Sequence, residues 1–145
     1  MNKSMSSLSF PDINIWLALA SPEHVHAAYA RRWWEGETGR IAFSRLTQLG
    51  LLRLITTVAA MDGKPLTMPQ AWRVHDKFME DERVEFLPEP AGAEVLFRRY
   101  SARRTASPKI WADAWLIAFA RAAGGVLVTF DKALAERGAR CLLPE

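Results

Sequence analysis

Apolar and polar residues alternate in blocks along this chain, and each block carries the period of one kind of element. Leu8-Ser9-Phe10 reads as a short strand closed by Pro11, which has no N–H to give to a central ladder. Asp12 therefore falls at a strand's C-terminal end. Ile13 to Ala20 has the apolar density of a helix, and Ser21-Pro22-Glu23 supplies an N-cap, a proline at the first helical position and an acid in the first turn of a second helix running to about Trp34. A loop from Glu35 to Gly39 leads into a strand over Arg40 to Phe43. Ser44 can cap a helix from Arg45 to about Ala59, on which Leu46, Leu49, Leu52 and Ile55 recur at helical spacing.

Met61-Asp62-Gly63-Lys64-Pro65 breaks that helix, and Thr67-Met68-Pro69 opens another that runs through Met79. Val84 to Leu87 is a strand, and a helix from about Ala91 to Ala102 ends in a loop rich in Ser, Arg and Thr. Ser107-Pro108 opens the most apolar helix, reaching Ala123, where Gly124-Gly125 stops it. Val126 to Phe130 is a continuous apolar strand of the kind buried on both faces, with Asp131 beyond it. A short helix (Lys132 to Arg137), Gly138 and a last strand (Ala139 to Leu143) complete the series. About five strands alternating with helices predict an α/β fold, with a mostly parallel sheet covered by helices on both faces and right-handed crossovers. No repeat, linker or low-complexity segment divides the chain, so residues 1–145 are read as a single domain.

Composition narrows the class without changing that picture. Half of the 145 residues are apolar and 24% are charged, which supports a sizeable core and excludes a disordered tail, a collagen-like repeat or a disulfide-stapled scaffold. Nineteen basic against sixteen acidic residues leave a net charge of +3, which permits nucleic acid as a partner. The single cysteine, Cys141, has no second thiol to pair with, and a reducing, cytoplasmic location is the expectation. Lys3 and the small residues Ala18-Leu19-Ala20-Ser21 superficially resemble a secretory signal. Pro11, Asp12 and Asn14 interrupt it, and the apolar run Ile15 to Ala20 is shorter than the roughly 7 to 15 residues a signal core needs. The chain reads as soluble and unprocessed, with no membrane span.

The candidate chemistry follows from where acids fall. In open parallel sheets, ligands bind beyond the carboxyl ends of the strands, near the switch in strand order. Asp12 and Asp131 both fall there, although either can be no more than a helix cap. Asp113 is harder to explain away. It lies within Ile110-Trp111-Ala112-Asp113-Ala114-Trp115-Leu116-Ile117, where a carboxylate is costly unless paired, with Arg121, an arginine elsewhere or less readily Lys109, or bound to a cation. Three converging carboxylates would repel one another and raise one another's pKa, and a divalent cation relieves that repulsion. Oxygen-only ligation suits Mg²⁺ or Mn²⁺, which retain waters and engage phosphate oxygens.

Phe10-Pro11-Asp12-Ile13-Asn14, Leu46-Thr47-Gln48-Leu49-Gly50-Leu51-Leu52-Arg53, Ala112-Asp113-Ala114-Trp115-Leu116 and Val128-Thr129-Phe130-Asp131 resemble, in order and spacing, the successive motifs of PIN-domain ribonucleases in the VapC toxin branch. The resemblance implies a three-layer α/β/α sandwich and a Mg²⁺- or Mn²⁺-dependent endoribonuclease restrained by a cognate VapB-type antitoxin. It implies that Asp12, Asp113 and Asp131 hold the metal and activate water for in-line attack on an RNA phosphodiester. Asn14 and the Thr129 hydroxyl would orient ligands or waters from behind them. Gln48 departs from the glutamate that many members of this branch carry in the matching motif, and its amide offers a carbonyl oxygen without charge. Placed at the metal, it predicts that Gln48→Glu tightens metal binding.

Two rival readings stand beside this one. Asp12-Ile13-Asn14 after a first strand is similar to the opening of haloacid-dehalogenase-like phosphatases, in which an aspartate attacks phosphate, but that family has a second acid where Asn14 stands. The stronger rival is a PIN-like domain that Gln48 has weakened or silenced, left to bind RNA or a protein. Arg98, Arg99, Arg103 and Arg104 form the strongest basic cluster and are candidates for RNA phosphates, against a bland reading as a solvated helix face. Arg31-Arg32-Trp33-Trp34 places two tryptophans that cannot share one core, so one is expected at a homodimer or antitoxin surface. His24 and His26, two residues apart on a helix, would point about 200° apart and not share a metal, and His75 has no ligand partner at helical spacing.

Overall fold

The computed structural model describes residues 7–144; the polar start with Lys3 lies outside the described residues. Five strands, β1 (Leu8–Pro11), β2 (Arg40–Phe43), β3 (Val84–Phe86), β4 (Val126–Thr129) and β5 (Arg140–Cys141), form one sheet in the order β3-β2-β1-β4-β5, every pair parallel. The chain lays β1 in the middle, builds outward to β3, then returns to the other side of β1 with β4. That reversal makes the gap between the carboxyl ends of β1 and β4 the switch point of the sheet. Register fixes the two ends together: Pro11 lies opposite Val128, and the Asp12 N–H donates to the Val128 carbonyl at 2.9 Å.

Seven helices join the strands: α1 (Ile13–Ala20), α2 (Ala27–Gly36), α3 (Arg45–Ile55), α4 (Met68–Met79), α5 (Ala93–Tyr100), α6 (Ile110–Ala122) and α7 (Lys132–Ala135). Neighbouring residues of one strand serve opposite faces, as the period of two requires. Val128 enters a core with Ile15, Trp16, Ile41, Phe43, Leu51 and Ile55, under α1 to α4. Leu127 enters a second core with Phe10, Leu116, Phe119 and Leu134, under α6 and α7. Trp16 stacks on Phe43 with ring centroids 3.7 Å apart, and Phe10 meets Phe119 at 4.5 Å, so each core has an aromatic pair at its centre. This is the predicted α/β/α arrangement. Among the described residues no helix is long and apolar enough to cross a membrane.

Local chemistry moves several boundaries from their predicted places. Ser21 does not open α2: its N–H completes α1 by donating to the Leu17 carbonyl, and residues 21–26 form turns before α2 starts at Ala27. His24 and His26 thus lie in a turn, with the His24 Nδ1 accepting from the His26 N–H and both rings close to Phe130. α3 stops at Ile55 rather than near Ala59 because the Thr56 and Thr57 hydroxyls donate back to the Leu52 and Arg53 carbonyls, competing with further helix. Ser107 does not cap α6, which begins at Ile110; Asp113 therefore sits in its first turn, where the positive end of the helix dipole favours an anion. Both adjacent tryptophans are packed: Trp33 is buried in the first core, and Trp34 lies half-buried beneath the Arg83 guanidinium, 4.5 Å away. Trp72 and Trp111 are the exposed ones, at 47% and 57%.

Candidate active site

The predicted acids gather at the switch point. Asp12 follows β1 directly, is 8% exposed, and caps α1 with Oδ1 accepting from the Ile15 N–H at 3.2 Å. Its other oxygen, Oδ2, accepts from the Thr129 hydroxyl at 2.5 Å. Thr129 ends β4 and is wholly buried; the same hydroxyl oxygen accepts the Asp131 N–H at 3.0 Å. The threonine thus ties the ends of the two central strands together and fixes the Asp12 carboxylate. Asp131 caps α7 through the Ala133 N–H and is exposed. Each of Asp12 and Asp131 has an oxygen beyond the one its helix uses, so capping leaves room for a second role.

Asp113 reaches the same place from the first turn of α6. Burial raises its pKa, and the charge of Asp131 raises it further, against a smaller opposing effect of Arg137. Asp12 is also raised: desolvation by burial outweighs the hydrogen bonds from Thr129 and the backbone, and Asp113 adds repulsion. Asp113 is thus coupled by charge to both of the other acids. Among the described residues Asp113 forms no salt bridge within 4.0 Å, and Arg121 donates to the Tyr100 hydroxyl at 3.0 Å. Among the described residues no group of three or more His, Cys, Asp or Glu side chains is arranged to hold a metal ion as it stands. Three carboxylates are nonetheless a donor type that a hydrated Mg²⁺ or Mn²⁺ could use, since such an ion binds through a few carboxylate oxygens and keeps its remaining waters. A dication would relieve the mutual repulsion that raises Asp12 and Asp113.

Asn14 is exposed on the first turn of α1, beside Asp12. Gln48 is engaged on both sides of its amide: its Oε1 accepts from Arg45 at 2.5 Å and its Nε2 faces the His75 Nε2 at 3.2 Å. His75, which sequence spacing had left without a partner, is buried and also bonds Asp76 through Nδ1, at 3.0 Å. Nothing in the local sequence pairs residues 27 positions apart; only the packing of α4 on α3 does. Arg98, Arg99, Arg103 and Arg104 are exposed on the end of α5 and the loop that leads into α6. Arg98 pairs with Glu94 one turn earlier, both largely solvated.

Comparison with known proteins agrees with this fold. The PIN domain family model matches residues 9–139. Ribonuclease VapC41 of Mycobacterium tuberculosis is 41% identical over 133 residues, covering 88% of this chain and 91% of that protein. Ribonuclease VapC39 of the same organism is 31% identical over 134 residues, covering 86% and 89%. Among solved structures, Mycobacterium tuberculosis VapC20, a sarcin-ricin-loop-cleaving toxin, superposes with a TM-score of 0.66 at 16% identity, over 90% of this chain and 95% of that one. VapBC2 from Rickettsia felis, bound to a DNA fragment from its promoter, gives a TM-score of 0.63 at 16% identity, over 94% and 97%. At that identity the structural likeness speaks for the fold.

Proposed function

This chain belongs to the PIN domain family, and from that premise we propose that it is a divalent-cation-dependent endoribonuclease of the VapC type, a toxin restrained by a VapB-type antitoxin. One observation carries the reading: Asp113, which caps nothing and among the described residues pairs with no arginine side chain by hydrogen bond, is near enough for its charge to couple with those of Asp12 and Asp131, which follow the two central strands. A helix cap explains Asp12 or Asp131 alone, but not a third carboxylate placed against both.

In this reading Asp12, Asp113 and Asp131 hold Mg²⁺ or Mn²⁺. When bound, such an ion supplies Lewis acidity toward water and toward a phosphodiester oxygen, and neutralises charge that develops on the phosphorus. The chain's own residues do the positioning. Thr129 fixes Oδ2 of Asp12 and, through the Asp131 N–H, the start of α7. Asn14, open to solvent beside Asp12, orients water. Arg98, Arg99, Arg103 and Arg104 draw RNA phosphates toward the first turn of α6 by charge pairing. The family match from 9 to 139 supports one catalytic unit, and the exposed Trp72 and Trp111 favour protein contacts, a homodimer or the antitoxin.

The test is incubation of the purified protein with structured RNAs and Mn²⁺. Cleavage is expected, and is expected to disappear with EDTA and with Asp113→Asn. RNA binding with no cleavage at any Mn²⁺ concentration would instead assign the chain to a binding module.

A further inference from the structure

The Gln48 amide is taken up by two protein partners, and one of them is Arg45. Arg45 is the first residue of α3, immediately past β2 and Ser44. Ser9 pairs with Ile41, so in this parallel register Ser44 stands level with Asp12, and Arg45 stands on the same sheet edge as the carboxylates. Its guanidinium lies over the Phe86 ring, 4.7 Å from the centroid, at the end of β3. Nη1 donates to the Gln48 Oε1. Because that oxygen is engaged, Gln48 presents its NH₂ group to His75, whose Nε2 accepts; His75 Nδ1–H then donates to Asp76. The chain Asp76–His75–Gln48–Arg45 runs from α4 to the rim of the site.

An exposed arginine ordinarily keeps its side-chain freedom, and fixing it costs on the order of 2 kcal/mol of entropy. Here a buried glutamine, itself oriented by a buried histidine, and an aromatic ring hold it in place. Both direct contacts are neutral, so they fix the guanidinium without cancelling its charge. A fixed, flat, uncancelled guanidinium matches the oxygens of a phosphate. Resting on the ribonuclease reading above, we propose that Arg45 is a preset clamp for a phosphate of single-stranded RNA flanking the one cleaved, and that Gln48 is its positioning residue rather than a ligand of the cation. The sheet separates the two stations: carboxylates at β1 and β4, guanidinium at the β2–β3 end.

The test compares variants in RNA cleavage with Mn²⁺, each first shown to be folded by thermal unfolding. Arg45→Ala should raise KM about tenfold with kcat within about twofold, as expected when an interaction common to ground and transition states is lost. Arg45→Lys, which keeps the charge but not the planar fork, should recover only part. Arg53→Ala, an equal charge loss at the far end of α3, should leave KM unchanged. Gln48→Ala, or Gln48→Met if the smaller residue unfolds the helix pair, should raise KM by a few-fold, and Arg45→Ala/Gln48→Ala should be no worse than Arg45→Ala. Calorimetry without RNA should show Mn²⁺ affinity unchanged in Gln48→Ala and in Gln48→Glu, whose carboxylate would pair with Arg45. An unchanged KM in Arg45→Ala, an equal rise in Arg53→Ala, or a changed Mn²⁺ affinity at position 48 overturns the proposal. If the wild type cleaves nothing, the ribonuclease reading fails by itself. The clamp is then read from RNA dissociation constants, where equal values for Arg45→Ala and wild type, or no binding by either, overturn it.

Discussion

Asp113 shows how one side chain separates folding from function. It pairs with no guanidinium by hydrogen bond, its burial and the charge of Asp131 push its pKa up, and its own charge pushes Asp12 up. A group in that position is retained at the expense of stability. Asp113→Asn should therefore abolish Mn²⁺-dependent cleavage while raising the cation-free melting temperature near neutral pH by roughly a few degrees. Asp12→Asn should abolish cleavage too, yet asparagine is an equally good N-cap, so α1 should survive it. Activity assays paired with melting curves check both; a destabilised Asp113→Asn protein would make Asp113 a structural residue. The three acids were legible in the sequence because each breaks a local expectation: two stand just past strands, one interrupts an apolar helix. Gln48 was legible as a departure, but its contact with His75 was not, since only tertiary packing brings the two near.

Elements place these residues, and their contacts are tight enough to be tested. α1 crosses α3 where Gly50 faces Ile13, and a Cβ at position 50 would overlap the Ile13 side chain, at its Cγ1 as well as its tip. Ile13 adjoins Asp12, so the N-terminus of α1 would have to move. Gly50→Ala should lower stability by about 1–3 kcal/mol, as overpacking does, and weaken Mn²⁺ binding as well. Denaturant unfolding and calorimetry read the two effects, and full stability in the Gly50→Ala protein would show that the helices can part freely. At the other end of the sheet, Arg83 ties α2 to the turn before β3. It donates to the Trp34 and Glu37 carbonyls at 2.7 and 2.6 Å, forms a two-pronged pair with Asp81, and covers Trp34. Arg83→Lys cannot repeat that fork and should cost about 1–3 kcal/mol, read from a shifted denaturant midpoint. The strands and most helices were legible from period alone. The start of α2 and the end of α3 were not: Ser21 serves the helix before it, and paired threonine hydroxyls close α3.

At the scale of the whole molecule, the site sets how stability responds to pH and to cations. Asp81 is held below the ordinary carboxylate range, first by its hydrogen bonds to Arg83; its stabilising effect is present above the unfolded value of about 3.9 and is lost as pH falls through the lower, folded one. Asp12 and Asp113 work in the opposite sense. Their folded pKa values are raised, so between the unfolded value and the raised one the native state binds more protons, and stability falls as pH rises through that window. Cation-free protein should thus melt at a lower temperature as pH climbs from about 4 toward neutrality, and the fall should be shallower in Asp12→Asn/Asp113→Asn. A cation held by ionised carboxylates reverses the slope, because it binds the native state and competes with protons for the same oxygens. Melting curves across pH, with Mn²⁺ and with EDTA, should therefore diverge most at the upper end and converge at the acid end. Parallel curves, with Mn²⁺ giving the same shift at every pH or none in the wild type, would place the cation somewhere other than between β1 and β4.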